Sequence, residues 1–163
     1  MKYLKILIAI CFSVSVLSCS NDETTEEVPS STITLKNYNH SSFEIELLDL
    51  INQDRINKGL TALSIINEIS YVASTHNDYM ITKGAINHDN FQDRAIALEN
   101  GLGAIIVGEN VASGFNTSTA TLNAWNNSPA HKANLEGNYT HFGLSVKEDA
   151  VGKKYYTLMF VRK

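Results

Sequence analysis

Apolar side chains are spaced differently along three parts of the chain. Residues 6–17 form a mostly apolar run that follows two lysines. A run this short cannot cross a bilayer as a helix, and it matches the apolar part of a signal peptide. Polar residues then dominate as far as residue 40. From there onwards helical and strand periodicities alternate, which predicts one folded domain over residues 41–163.

Helical spacing dominates the first part of this domain. Capping residues and glycines mark where each predicted helix begins and ends. The third predicted helix follows a loop that reaches Asn90, and the fifth begins at Pro129. The predicted helices are 43–57 (capped by Ser41 or Ser42), 67–83 (capped by Asn67), 91–99, 118–125 (capped by Thr117 or Ser118) and a short one from 129 (capped by Ser128).

Alternating side chains predict two strands at the end of the chain, 141–147 and 154–162, joined by a turn at 149–152. The second of these is apolar on both faces, which predicts a central strand covered on both sides. Residues 32–39 predict a short lead-in strand, and residues 104–107 form a short apolar run. Helices followed by strands within one unit predict an α+β fold.

Composition narrows the class of protein. The 163 residues are 44% hydrophobic and 18% charged, enough to build a real core. The net charge of -4 lacks the basic footprint of a nucleic-acid-binding protein, so we expect no nucleic-acid partner. Both cysteines, Cys11 and Cys19, lie in the first nineteen residues. The domain therefore has no disulfide framework, zinc finger or catalytic thiol of its own.

The start of the chain predicts export. Its segment Val16-Leu17-Ser18-Cys19 looks like a bacterial lipobox, in which the cysteine receives lipid. We therefore predict a lipoprotein signal peptide at 1–18 and an acidic, lipidated linker at 19–40. Acylation of Cys19, for example with palmitate, would anchor the chain to lipid of the outer membrane or cell surface. The alternative is an ordinary secretory signal. The acidic stretch resembles a surface-export signal, with a plain solvated linker as its alternative.

Two of the five histidines, His88 and His131, lie among turn-forming residues, where functional groups are commonly displayed. Glu109 follows Gly108 between apolar residues, and a partly buried carboxylate there needs a partner. We predict that the other candidates have no chemical role. His40 should be exposed, His76 and His141 should be structural, and Arg94 should pair with Asp89 or Asp93.

Three ordered motifs resemble the bacterial branch of the CAP superfamily, which comprises cysteine-rich secretory, antigen 5 and pathogenesis-related 1 proteins and is also called SCP-like. They are His88-Asp89-(x)4-Arg94-Ala95, Gly108-Glu109-Asn110-Val111-Ala112 and the segment from Trp125 through Ser128-Pro129-Ala130-His131 to Leu135. The resemblance covers residues 43–162. It implies a three-layer α-β-α sandwich with a wide cleft lined by two histidines and two glutamates.

Carried over to this chain, the family's histidines are His88 and His131 and its first glutamate is Glu109. Ser128 stands where the second glutamate would be. Asn110, Ser128 and Asn134 are predicted to support the site, with Asn134 tying the short helix to a neighbouring loop.

Two imidazoles and one carboxylate suit zinc or another divalent cation. The alternative is a hydrogen-bonded cluster in which Glu109 orients one histidine. We expect a cleft that binds an extracellular lipid, peptide or glycan. The second hypothesis is a metal-assisted, peptidase-like hydrolase that uses the same residues, and the third is a structural or adhesion protein.

Overall fold

The computed structural model describes residues 33–163. The predicted signal peptide, both cysteines and most of the predicted linker lie outside these residues. Within them, five helices and four strands follow one another: α1 (Ser42–Asn57), β1 (Ser64–Ile65), α2 (Asn67–Lys83), α3 (Phe91–Leu102), β2 (Ile106–Ser113), α4 (Ser118–Asn126), α5 (Pro129–Leu135), β3 (His141–Glu148) and β4 (Lys154–Arg162).

The four strands form one sheet in the order β1-β3-β4-β2. β4 pairs antiparallel with β3 on one side and with β2 on the other, while β1 runs parallel to β3. The prediction that the last strand is central is therefore confirmed. β2 lies at the edge of the sheet, and this places Glu109 beside the loops that carry the candidate histidines.

Side chains of β4 alternate between two apolar clusters, one on each face of the sheet. Tyr156, Leu158 and Phe160 pack with residues of α1, α4 and α5, among them Leu47 and Trp125. On the opposite face, the cluster contains Met159 and Val161 of β4 and residues of α2 and α3: Ile69, Val72, Ala73 and Leu98. Helices cover both faces, so the α+β prediction and its three-layer α-β-α form are confirmed.

Two of the predicted helix caps are present. Ser41 caps α1 in a capping box with Glu44, and Thr117 caps α4 by accepting a hydrogen bond from the amide of Ala120. Asn67 does not cap α2, because Ile66 occupies the cap position and Asn67 is the first helical residue. Ser128 occupies the cap position of α5 but its side chain makes no capping bond.

The predicted end of α3 is wrong. α3 continues to Leu102 and ends at Gly103, whose φ of 70° is the left-handed conformation that ends many helices. The apolar run 104–107 leads into Gly108 as predicted, and its residues 106 and 107 begin the eight-residue strand β2. The sequence pattern does not predict β2, because Gly108, Glu109 and Asn110 at its centre have low strand propensity. Their tertiary partners, described below, hold them in the strand.

The segment 33–40 contains no strand, so the predicted lead-in strand is wrong for its described residues. It is fastened to the domain by side chains instead. The Tyr38 hydroxyl donates to Glu44 Oε1 (2.7 Å), and the same buried carboxylate oxygen accepts from the amide of Val146 (2.7 Å). His40 Nε2 hydrogen-bonds Ser70 Oγ (2.7 Å) and the ring is half-buried, so the prediction of an exposed His40 is also wrong.

Acidification should weaken this attachment. Burial lowers the pKa of His40 from its ordinary 6.5, although the carboxylate of Glu44 opposes the shift. A histidine with a lowered pKa in the folded state stabilises the fold above its unfolded pKa, and that stability is lost as the pH falls. We expect the free energy of unfolding to fall more between about pH 7.5 and 5.5 in the natural chain than in His40→Gln. Equal pH slopes in urea unfolding would contradict this account of His40.

Candidate functional site

His88 lies in the connection between α2 and α3, and both of its neighbours in the chain are held in place. Burial and the Arg94 guanidinium lower the pKa of His76, so its ring is neutral and Nε2–H donates to the carbonyl of Asn87 (2.8 Å). On the other side, Arg94 Nη1 donates to the carbonyl of Asp89 (2.7 Å). The backbone on either side of His88 is therefore fixed to α2 and α3.

Glu109 projects from β2 into a set of hydrogen-bond donors. Arg94 binds it in a bidentate manner, with Nε to Oε2 and Nη2 to Oε1, both at 2.7 Å. His88 Nδ1 lies 2.8 Å from Oε1. Burial raises the pKa of Glu109, but the hydrogen bonds from His88 and Arg94 and the Arg94 charge outweigh it, so the net pKa is lowered. The carboxylate is consequently ionised at neutral pH.

The ionised carboxylate orients the imidazole of His88. Because Glu109 only accepts hydrogen bonds at neutral pH, the proton of a neutral His88 lies on Nδ1 and its Nε2 is left as an acceptor. The His88 side chain is 52% exposed, whereas that of Glu109 is 2% exposed. The pair therefore presents one half of the imidazole to solvent and keeps the other half on a buried anion.

A second group of polar contacts attaches α5 to β2. Asn134 Nδ2 donates to the carbonyl of Glu109 (3.1 Å) and to Asn110 Oδ1 (2.9 Å). Asn110 Nδ2 in turn donates to the carbonyl of His131 (3.0 Å). Asn134 thus ties the short helix to β2, and its Oδ1 also accepts from the hydroxyl of Tyr139 in the neighbouring loop (3.2 Å), as predicted. Asn110 is buried within that strand.

His131 lies on α5 and is partly buried, but its side chain makes no hydrogen bond to Glu109 or His88 and does not line the cleft beside β2. Burial, and to a lesser extent His88, lower the pKa of His131. The cleft beside β2 has a volume of about 310 Å³ and is lined by His88, Phe91, Val107, Gly108, Glu109 and Asn134. A side chain at position 108 would overlap the end of the Tyr139 side chain and press against Asn134, so Tyr139 would have to move.

The arrangement does not fit a three-ligand metal centre as it stands. Within residues 33–163, no group of three or more His, Cys, Asp or Glu side chains is arranged to hold a metal ion. Both oxygens of Glu109 are engaged by Arg94, and one also by His88. A cation that bound Glu109 would have to displace one of these donors. Zinc binding through His88, Glu109 and His131 therefore stays a prediction.

Arg94 is the residue whose role the sequence did not reveal. It was predicted to pair with Asp89 or Asp93, but its ion pair is with Glu109, and it binds Asp89 only through the backbone carbonyl. The two residues lie on α3 and β2, and no local spacing connects them. The structural role predicted for His76 is confirmed by its burial, although its hold on the loop of His88 was not foreseen.

The structure thus combines a four-stranded sheet between two helical layers with a histidine–glutamate pair in a cleft at the sheet edge. Residues 48–160 match the family model for CAP, the cysteine-rich secretory protein family. The chain therefore belongs to the CAP family.

Two proteins of Bacillus subtilis (strain 168) are similar in sequence. The uncharacterized membrane protein YlbC is 32% identical over 127 residues, which cover 74% of this chain and 34% of YlbC. The uncharacterized protein YkwD is 28% identical over 127 residues, covering 76% of this chain and 48% of YkwD. The chain thus spans between a third and a half of the length of these relatives.

Solved structures share the fold. An outer surface protein of Borrelia burgdorferi superimposes with a TM-score of 0.69 at 20% identity, covering 80% of this chain and 99% of that protein. An extracellular SCP-domain protein of Bacillus anthracis has a TM-score of 0.64 at 30% identity, over 74% of this chain and 40% of its own. A cysteine-rich secretory protein of Staphylococcus aureus gives 0.62 at 28% identity, over 74% of this chain and 38% of its own.

None of the helices in residues 33–163 combines the length and apolar character needed to cross a membrane.

Proposed function

We propose that this protein is an exported, lipid-anchored CAP domain whose cleft binds an extracellular ligand through His88. The proposal rests on the contact between His88 Nδ1 and the buried Glu109, because this contact occupies Nδ1 and not Nε2, and because His88 lines the cleft. Phe91 and Val107 add apolar surface beside this polar atom. A few fixed polar groups within a partly apolar concavity are characteristic of ligand sites.

Ligand binding is tested by nuclear magnetic resonance with three probes: a short peptide, a peptidoglycan fragment and a fatty acid. We expect at least one probe to shift the amide signals of Val107 and Gly108. The shift should be lost in His88→Ala and kept in His141→Ala, a histidine outside the cleft. If no probe moves these amides, or if His88→Ala responds like the natural chain, the cleft is not the binding site.

A hydrolase is the second candidate, because an imidazole held on a buried carboxylate can accept a proton from water. For a binding protein we expect no turnover of peptide and ester libraries by the metal-loaded protein. Turnover that disappears in folded His88→Ala and His131→Ala variants would instead establish the hydrolase.

The lipid anchor has its own test. Export of the natural chain should yield a product that begins at Cys19, carries acyl groups in the intact mass and sediments with membranes. Cys19→Ser should lose the lipid, while Cys11→Ser, within the predicted signal peptide, should keep it. An unacylated Cys19 in the natural product would overturn the anchor and leave the cleft proposal standing.

A further inference from the structure

A second cavity lies away from the cleft of His88, where the end of α1 meets the connections around β1 and β3. Its volume of about 620 Å³ is within the range of about 300–1,000 Å³ that is usual for small-molecule sites. Its walls combine apolar and polar side chains, among them Arg55, Leu60, Ala62, Tyr139, Thr140 and His141.

Arg55 is the notable group in this wall, because it is a buried cation with only 3% of its surface exposed. Its Nε donates to the carbonyl of Thr61 (2.9 Å), and Nη1 donates to the carbonyls of Leu135 (2.6 Å) and Gly137 (3.1 Å). These bonds use three of the five N–H groups of a guanidinium. The other two are on Nη2, which has no hydrogen-bond partner among residues 33–163.

Arg55 lacks the carboxylate partner that Arg94 has. Both arginines are 3% exposed, but Arg94 has the carboxylate of Glu109 at 2.7 Å. Arg55 forms no ion pair with any acidic group in the described part of the chain. A buried charge without a counterion is costly, and guanidinium groups bind carboxylates especially well. The cavity therefore contains an uncompensated positive charge with a donor nitrogen to spare.

The other charges at the cavity do not supply that counterion. Glu136 also lines the cavity, but its carboxylate lies 3.0 Å from Lys58 Nζ and 3.8 Å from Lys132 Nζ. Lys58 also pairs with Asp54 at 2.7 Å. The charges of these two lysines and two acidic residues cancel, so the positive charge of Arg55 is not balanced by them.

We propose that this cavity binds a small organic monocarboxylate, with one carboxylate oxygen on Arg55 Nη2 and the carbon chain against Leu60, Ala62 and Tyr139. Two features favour a monoanion over a phosphate dianion. Only one guanidinium nitrogen lacks a partner among residues 33–163, and the single positive charge of Arg55 at the cavity balances one negative charge, not two.

Butyrate is a suitable probe, with its uncharged amide, butyramide, as the matched control. Titration of the folded domain should give saturable shifts of the amide signals of residues 60–62 and 138–141, with a Kd of about 1 mM or below. Butyramide should give no saturable shift, and inorganic phosphate should bind at least about tenfold more weakly. His88→Ala should bind butyrate normally, which separates this site from the cleft.

Two variants test whether butyrate binds in this cavity. Arg55→Lys removes the free nitrogen and should weaken butyrate binding at least about tenfold. Because Arg55 also holds three backbone carbonyls, a second variant leaves it intact: Ala62→Trp fills the cavity from its exposed rim and should abolish binding, whereas Ala62→Ser should not. Absence of saturable butyrate shifts, equal binding of butyramide, or binding that survives Ala62→Trp would overturn the proposal.

Discussion

Replacing Arg94 with methionine should lower the free energy of unfolding by about 3–5 kcal/mol, because it leaves the carboxylate of Glu109 buried without its counterion. The side chains of both residues are almost fully buried, at 4% and 2% exposure, so solvent screening of the pair is small. The same change should free the loop of His88, since Arg94 also binds the carbonyl of Asp89. Urea unfolding at neutral pH measures the loss.

The double variant Arg94→Met/Glu109→Gln is the matched control. Removing the negative charge along with the positive one should recover part of the stability, so the double variant should be more stable than the sum of the two single losses predicts. A loss below about 1 kcal/mol in Arg94→Met, or strictly additive losses, would show that the pair does not stabilise the buried site.

Gly143→Ala should cost about 3 kcal/mol, the upper part of the range for overpacking a core. Gly143 lies in β3 directly against α2, and a methyl group there would collide with the backbone nitrogen of Ser70 and with Ile69. The strand and the helix would have to separate. That movement would also disturb His76, which lies further along α2 and holds the loop of His88.

Gly59→Ala is the control for the glycine substitution itself. Gly59 has open space around its Cα but a φ of 75°, so the variant should cost about 1 kcal/mol through backbone strain alone. If chemical unfolding gave the two variants equal losses, close packing of α2 on β3 would not be the reason for glycine at 143.

The fold was predictable where local patterns and tertiary packing agree. β4 is apolar on both faces in sequence and is covered on both faces in the structure. Prediction failed where tertiary contacts decide the outcome. β2 contains glycine, glutamate and asparagine, yet it is a strand because β4 pairs with it and the side chains of Asn134 and Arg94 satisfy its polar groups.

The candidate site was also predictable only in part. The sequence motifs predict His88 and Glu109 as site residues, and the structure brings them into contact. The pairing of Arg94 with Glu109 was not found, because the partners lie on different elements and adjacent acids offered nearer alternatives. The domain has no cysteine of its own, although it belongs to a family named for cysteines. The buried ion pair of Arg94 and the partly buried hydrogen bonds of Asn110 and Asn134 secure the cleft in addition to apolar packing.

The ionised Glu109, whose charge is balanced by Arg94, fixes the ring of His88 so that Nε2 is left as an acceptor. Nitrogen-15 spectra of the histidine side chains at a pH where His88 is neutral test this arrangement most directly. We expect the proton of His88 to lie on Nδ1, and the ring to lose this single tautomer in Glu109→Gln. A His88 protonated on Nε2 in the natural chain, or a tautomer unchanged by Glu109→Gln, would contradict it.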